Sequence, residues 1–429
     1  MADWKQRVRA VQVDTTPLRT SRDFRLLFAA GTLTYLGGMI TYVAVPYQLY
    51  RLTGSNAAVG LIGAVQLLPL LVGGLYGGAL ADHVDRRRLL VLTGLAQSLV
   101  TGLLAVNAAR DRPSIGALYV LAFLLAACSS LQRPSREALL PRTVRHEELT
   151  AANALGSLGA QVGMLAGPAV GGLLLASVGA TWCYGIDVVG LLLATGLYAA
   201  LGHHPHRDAT VPPSLRGIVD GIRYAVGRRD LLGTYLVDVA AMVLAIPVVL
   251  FPALAEDVFA RPELLGLLYS AETVGALLAT ATSGWTSRVS HHGRAIVVAA
   301  AAYGLAIAAA GLAPTIWLTM LALAAAGAAD MVSVVFRATV WSQTIPESMR
   351  GRLAGIEMLS YSLGPLGGQV RAGVVADLWS VRGSVVSGGL ACVLGVVATA
   401  TWLHDFWAYD ARTDEHAVAE RRRRAESPA

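Results

Sequence analysis

Apolar runs of about 20 residues, the length an α-helix needs to cross the hydrocarbon core of a bilayer, recur along this chain and limit its fold more than any other feature. Inside a bilayer such runs must be helical, because no water is present to satisfy a free backbone N–H or C=O. Twelve can be laid out, at 24–50, 57–80, 89–109, 114–139, 150–176, 181–201, 231–254, 263–285, 295–312, 315–344, 351–378 and 383–403. Composition agrees: 55% of the 429 residues are hydrophobic and 14% charged, 45 are glycine, and the mean hydropathy is +0.56. Those values lie far outside the range of soluble globular domains. The expected fold is an all-α integral membrane protein with twelve transmembrane helices.

The remaining charges orient the spans. Basic residues collect at Lys5, Arg7, Arg9, Arg86 to Arg88, Arg142, Arg145, Arg228, Arg229, Arg294 and Arg421 to Arg424, all on one side if the N-terminus is inside. The opposite loops hold little beyond Arg51, Arg110, Arg112, Arg261 and Arg382. This bias predicts both termini in the cytoplasm of a cell whose inner membrane the chain spans. The net charge of +6 is spread over short loops and forms no patch, so the expected partner is the lipid bilayer and not nucleic acid. The first twenty residues are polar and lead into a full-length span without a small-residue cleavage site, so no signal peptide is expected.

An internal repeat divides the chain. Arg22-Asp23 returns as Arg229-Asp230, Val59-Gly60-Leu61 as Leu265-Gly266-Leu267, and Gly167-Pro168 with Gly171-Gly172 as Gly364-Pro365 with Gly367-Gly368. The reading is two pseudo-symmetric six-helix bundles, 1–201 and 230–404, with a linker at 202–229 and a cytoplasmic tail at 405–429. The linker opens on the polar GHHPHRDATVPP. From Ser214 it continues as an amphipathic helix, with Leu215, Ile218, Val219, Ile222 and Val226 on one face. His203, His204 and His206 form no metal site in such a solvated stretch. Cys128, Cys183 and Cys392 stand singly in apolar runs and read as packing residues. No Walker A loop, Gly-x-Ser-x-Gly or His-Glu-x-x-His occurs. An enzyme, a cofactor and a metal are therefore not expected, and the energy source must be a gradient.

Two motifs carry the function. At the end of the second span, GALADHVDRRR (Gly78 to Arg88) puts Asp82 and Asp85 ahead of three arginines, a carboxylate suited to face a neighbouring helix N-terminus. In the fifth span, Gly163, Gly167, Pro168, Gly171 and Gly172 fit Gly-x-x-x-Gly-Pro-x-x-Gly-Gly. Glycines four apart let helices approach closely, and the proline bends its helix.

The first motif resembles the loop between spans two and three of the major facilitator superfamily, matching at Gly78, Leu80, Ala81, Asp82, Arg86 and Arg87. His83 stands where that family usually has Arg, and Asp85 where it has Gly. The second resembles the antiporter signature of drug and metabolite exporters in the superfamily. RDFRLLF, AVPYQLYRLTG, AAVGLIGAVQLLPLLVGGLYGGALAD and LFPALAEDVFARPELLGLLYSAETVGA resemble the branch that contains the enterobactin exporter, over about residues 21 to 403. The resemblance implies a conformational clamp at Gly78, Asp82, Arg86 and Arg87, and a secondary active exporter that moves a siderophore or similar aromatic metabolite out by proton antiport. A multidrug or macrolide-type efflux pump is the alternative. A receptor or scaffold without transport comes after it.

Charges inside spans are functional candidates because insertion of each costs about 2.5–3.5 kcal/mol. Asp238, Glu272 and Asp330, in that order, are the proton-coupling candidates. Counting residues along their helices sets Asp238 and Glu272 at similar depth, both lining a midplane cavity. Asp187 sits shallowly in the sixth span. Arg133 joins the coupling candidates by analogy with an arginine of drug exporters; a headgroup-level cluster of Arg133, Arg136 and Glu137 is the structural alternative. The substrate wall is read as Tyr35, Tyr42, Gln66, Gln161, Tyr269, Arg337, Trp341 and Tyr361. Tyr47, Trp182 and Trp379 read as interfacial belt residues. The expected partners are a small-molecule substrate, protons and lipid, and the expected state is a monomer.

Overall fold

We describe a computed structural model over residues 14–202 and 223–426; within these, the side chains of 74–83, 347–348, 350–352, 354–362 and 424–426 are outside the described set. The side chains of Gly78, Asp82 and Tyr361, the histidines of the linker and the start of its amphipathic helix therefore lie outside the described residues.

Among the described residues, ten helices are long and apolar enough to cross a membrane. One of them, Leu149–Ala199, breaks at Gly179, where φ is +80°, a left-handed conformation that favours glycine. It supplies two spans, and the 32-residue helix Glu347–Leu378 brings the set to twelve. The spans are α1 Arg22–Thr53, α2 Asn56–His83, α3 Arg86–Ala108 and α4 Ile115–Thr143, then α5 (149–178) and α6 (180–199). In the second half they are α7 Arg229–Val239 with an irregular continuation to Val258, α8 Leu265–Ala281 and α9 His292–Leu312. α10 Ile316–Thr344, α11 Glu347–Leu378 and α12 Val381–Trp402 complete it. Polar caps set several boundaries: Ser21 accepts from the Phe24 N–H, Asp85 from Arg88 and Ser380 from Gly383. The odd-to-even connections lie on one face, the turn face; the termini and even-to-odd connections lie on the other, the termini face.

The repeat seen in the sequence is a repeat of contacts. In the first half, Gly163, Gly167 and Gly171 of α5 pack on Tyr35, Met39 and Ile40 of α1. In the second half, Gly364 and Gly368 of α11 pack on Met242 of α7. Between the halves, Gly60 and Gly63 of α2 lie against Gln369 and Leu366 of α11, and Gly172 of α5 faces Gly266 of α8. The signature glycines thus serve two contacts, since 163, 167 and 171 seat α1 while 172 meets the other bundle.

α7 is not one regular helix. A wide turn covers Ala240–Ala245, and Ile246 is extended (φ −65°, ψ 120°), as a residue before proline prefers. After Pro247 the chain turns Val248 and Val249 toward the midplane. Irregular backbone at this depth is tolerated where it is buried in protein or lines a cavity.

The tail is more ordered than its polar sequence suggests. A short helix, His404–Ala408, and α13, Glu415–Glu426, fold back over the termini face of the second half. Phe406, 1% exposed, fills a socket that Gly233 of α7 and Gly293 of α9 leave open. The Ala411 N–H bonds to the Ser290 carbonyl at 3.0 Å.

Candidate functional site

A cavity of about 470 Å³ lies at the midplane, walled mainly by the first half. α1 contributes Thr34, Tyr35, Thr41 and Tyr42; α2, Gln66; α3, Gln97 and Thr101; α4, Gln132, Arg133 and Arg136; α6, Asp187. The second half supplies Val248, Val249, Tyr269 and Gln369. Most of the wall is apolar, with a few convergent amides and hydroxyls, the composition that suits a small-molecule site. Tyr269 sits edge-on to Tyr42 with ring centroids 5.7 Å apart and edge-on to Phe251 at 5.0 Å. This aromatic chain joins α1, α8 and α7.

Toward the turn face the cavity is sealed. α2 and α11, and α5 and α8, meet there through the glycine contacts above, and the Ser270 hydroxyl donates to the Leu165 carbonyl at 2.8 Å. Polar latches complete the closure. Tyr47 donates to Glu256 and Tyr50 to Asp257, while Arg51 pairs with Glu256 at 3.1 Å. Asp377 at the end of α11 accepts from Ser55 Oγ at 2.6 Å and from the backbone N–H groups of Asn56 at 2.8 Å and Ala57 at 3.0 Å, capping α2 from the other half. Glu256 and Asp377 had no role in the sequence reading, and Tyr47, read there as a belt residue, is a latch donor.

Toward the termini face the cavity continues. A second space of about 640 Å³ shares Tyr35, Arg133 and Arg136 with it and runs past Phe24, Phe28 and Leu140 to Asn153 and Gly156. These residues lie near the start of α1, the end of α4 and the start of α5, so the two spaces form one path from the termini face to the midplane. Arg133 stands where they join, its Nε 2.9 Å from Glu137 Oε1, both side chains exposed. Arg136 packs against Gly31.

Of the residues read as cavity wall, Tyr35, Tyr42, Gln66 and Tyr269 line the cavity, as does Arg133. Arg337 and Trp341 do not. Arg337, 1% exposed, forms an ion pair with Asp238 at 2.5 Å and reaches Asp330 at 3.8 Å. Trp341 donates to Thr234 Oγ1 at 2.8 Å and stacks on Tyr235. Both side chains join α10 to α7, because a buried guanidinium and a buried indole N–H each require a partner. Gln161 borders neither cavity. Asp238 and Glu272 border neither space, which corrects the expectation that both line the midplane cavity: depth along a helix does not set the direction a side chain faces. Asp238 is held by Arg337, and Glu272 is enclosed beside α10 with Oε1 lacking a partner.

Among the described residues, the carboxylate that borders the cavity is Asp187, 2% exposed. It accepts a hydrogen bond from Thr41 Oγ1, and its other oxygen lies where Gly37 leaves space on α1, without a hydrogen-bond partner. Of the clamp residues, Arg86 donates to the Ala138 carbonyl at 3.2 Å and Arg87 to the Ala199 carbonyl, both within the first half.

Comparison with known proteins agrees with this architecture. The family described as "Transmembrane secretion effector" matches residues 13–421. Enterobactin exporter EntS of Shigella flexneri is 29% identical over 381 residues, which cover 89% of this chain and 92% of that protein. EntS of Escherichia coli O81 (strain ED1a) is 29% identical over 386 residues with the same coverage. Among solved structures, a bacterial homologue of the iron transporter ferroportin in an inward-facing state has a TM-score of 0.71 at 16% identity, covering 89% of this chain and 98% of that one. A bacterial homologue of the lysosomal transporter Spinster, inward-facing and unoccupied, has a TM-score of 0.67 at 16% identity, covering 95% and 98%. These likenesses show the fold.

Proposed function

Because the chain belongs to the transmembrane secretion effector family of the major facilitator superfamily, a family of membrane transporters and not of enzymes, we propose that it exports a siderophore or similar aromatic metabolite by proton antiport and alternating access. The observation that carries this reading is the continuous path from the termini face to a midplane cavity that stops under a polar and glycine-packed seal. With both termini cytoplasmic, as the positive-inside bias expects, this is the inward-open state of an inner-membrane exporter.

Substrate enters past Phe28, Arg133 and Arg136 and comes to rest among Tyr35, Tyr42 and Tyr269. Aromatic rings offer stacking, and Gln66, Gln97, Gln132 and Gln369 offer donors and acceptors to hydroxyl or amide groups. Two arginines at the entrance favour a ligand that carries partial or full negative charge, as catechol groups do on ionisation. Closing the termini face and releasing the latches of Glu256, Asp257 and Asp377 then opens the cavity outward. The clamp residues Gly78, Asp82, Arg86 and Arg87 act in that closure, with Asp82 meeting the start of α11.

Uptake into everted membrane vesicles, with metal-free enterobactin, other catechols and macrolides as the panel, tests the function. Catechol accumulation that collapses when the proton gradient is discharged is the expected result. Accumulation of macrolides alone would assign the cavity to drug efflux, and accumulation of neither would exclude this reading.

A further inference from the structure

We propose that Asp187 is the group that takes up and releases the coupling proton, and that it does so by seating α6 on α1. The proposal rests on the antiport reading above.

Asp187 borders the cavity, so a path to water exists, yet its side chain is turned toward α1. There it meets a notch built from two positions one helical turn apart: Thr41 supplies a hydroxyl to one carboxylate oxygen, and Gly37 supplies the empty volume that the other occupies. One turn from Asp187 along α6 and two turns from Thr41 along α1, Tyr184 donates to Gln48 at 2.8 Å, which continues the same seam. Among the described residues no cation lies within ion-pairing distance of Asp187. Among the described residues, the titratable or charged groups that border the cavity with it are Tyr35 and Tyr42 on α1, Arg133 and Arg136 on α4 and Tyr269 on α8; Cys183 and Tyr184 are its neighbours on α6.

A carboxylate buried with one hydrogen bond and one bare oxygen is costly when ionised, whereas the neutral acid fits the same place. Asp238 differs in this respect, since Arg337 compensates its charge. The neutral acid thus holds α6 against α1, and loss of the proton favours a Asp187 that leaves the notch for the hydrated cavity. α1 is also the helix on which the signature glycines of α5 ride and whose far end carries the Tyr47, Tyr50 and Arg51 latches. A shift of α1 against α6 therefore reaches the turn-face seal. The protonated form favours the closed turn face and the deprotonated form its opening, so the proton is released to the inside as substrate binds there and a new one is taken up from outside as substrate leaves.

The test needs no substrate. Spin labels at positions 111 and 312, in a background with Cys128, Cys183 and Cys392 replaced by Ala, report the separation of the halves at the turn face in nanodiscs. Between about pH 5 and about pH 9 the parent is expected to move from closed toward open, with the populations changing by about tenfold or more. Asp187→Asn, which mimics the neutral acid, is expected to stay closed throughout, Asp187→Glu to restore the transition, and Thr41→Val to displace its midpoint. An unchanged transition in Asp187→Asn would overturn the assignment while leaving antiport intact. A parent with no pH-dependent transition would remove both.

Discussion

Asp377, at the end of α11, caps α2 by accepting the backbone N–H groups of Asn56 at 2.8 Å and Ala57 at 3.0 Å. A carboxylate of one half thereby satisfies the positive end of a helix in the other. The clamp motif expects the opposite arrangement on the termini face, with Asp82 of α2 meeting the start of α11. Two antiparallel helices would then carry an acidic latch at each end, one for each state.

If so, Asp377→Ala should release the turn face. Charge-assisted bonds of this kind contribute about 1.5–3 kcal/mol each when a charged group takes part, so loss of the set should move the closed population by at least about tenfold. The 111–312 label pair reads that change, and an unaltered distance distribution would assign the latch no role. Asp82→Asn should do the reverse, slowing exchange while substrate affinity stays within about threefold.

The glycine face of α5 makes a second prediction. A side chain at Gly167 would drive into Met39 of α1 and one at Gly172 into the backbone of Gly266. Gly167→Leu should abolish efflux at normal membrane abundance, because α1 loses its seat. Gly172→Leu should hold the turn face open, because the two halves can no longer close. Normal efflux from either variant would reduce the pattern to ordinary packing.

The sequence divides Arg337, Asp238 and Asp330 between substrate and proton. Their geometry makes Arg337 and Asp238 one buried pair joining α10 to α7, with the half-buried Asp330 3.8 Å from Arg337 on the same helix. Arg337→Met should leave Asp238 as an uncompensated buried charge and cost about 3–5 kcal/mol, whereas Arg337→Met combined with Asp238→Leu should recover most of it. Thermal unfolding in nanodiscs measures both, and a double variant no more stable than the single would argue against the pair as the cause.

The tail offers a stability test of its own. Phe406 lies in the socket between Gly233 and Gly293, and Phe406→Ala should cost about 3–5 kcal/mol. The loss should appear as faster backbone amide exchange at the termini-face ends of α7 and α9. Unchanged exchange there would mean the tail merely rests on the bundle.

Much of this was legible in the sequence. The twelve spans follow from hydropathy, since the bilayer leaves a long apolar run no other form, and the repeat follows because both halves use the same glycine contacts. The site was legible in part. Tyr35, Tyr42, Gln66 and Tyr269 reach the cavity as polar or aromatic residues in otherwise aliphatic helices tend to do. Counting from the end of its span makes Asp187 shallow. Its surroundings depend on Gly37 and Thr41, 146 residues away in the case of Thr41. Depth favours Asp238 and Glu272, and only packing shows that Arg337 claims one and α10 lies against the other. Latch residues such as Glu256 and Asp377 look like solvated loop ends until the opposite half is in place.

Antiport is the central claim, and proton movement in sealed proteoliposomes tests it most directly. With a pH-sensitive dye inside and metal-free enterobactin added, the wild-type protein should move protons opposite to substrate. Asp187→Asn, held closed at the turn face, should lose that movement. Substrate flux through the wild-type protein with no accompanying proton movement would contradict the account.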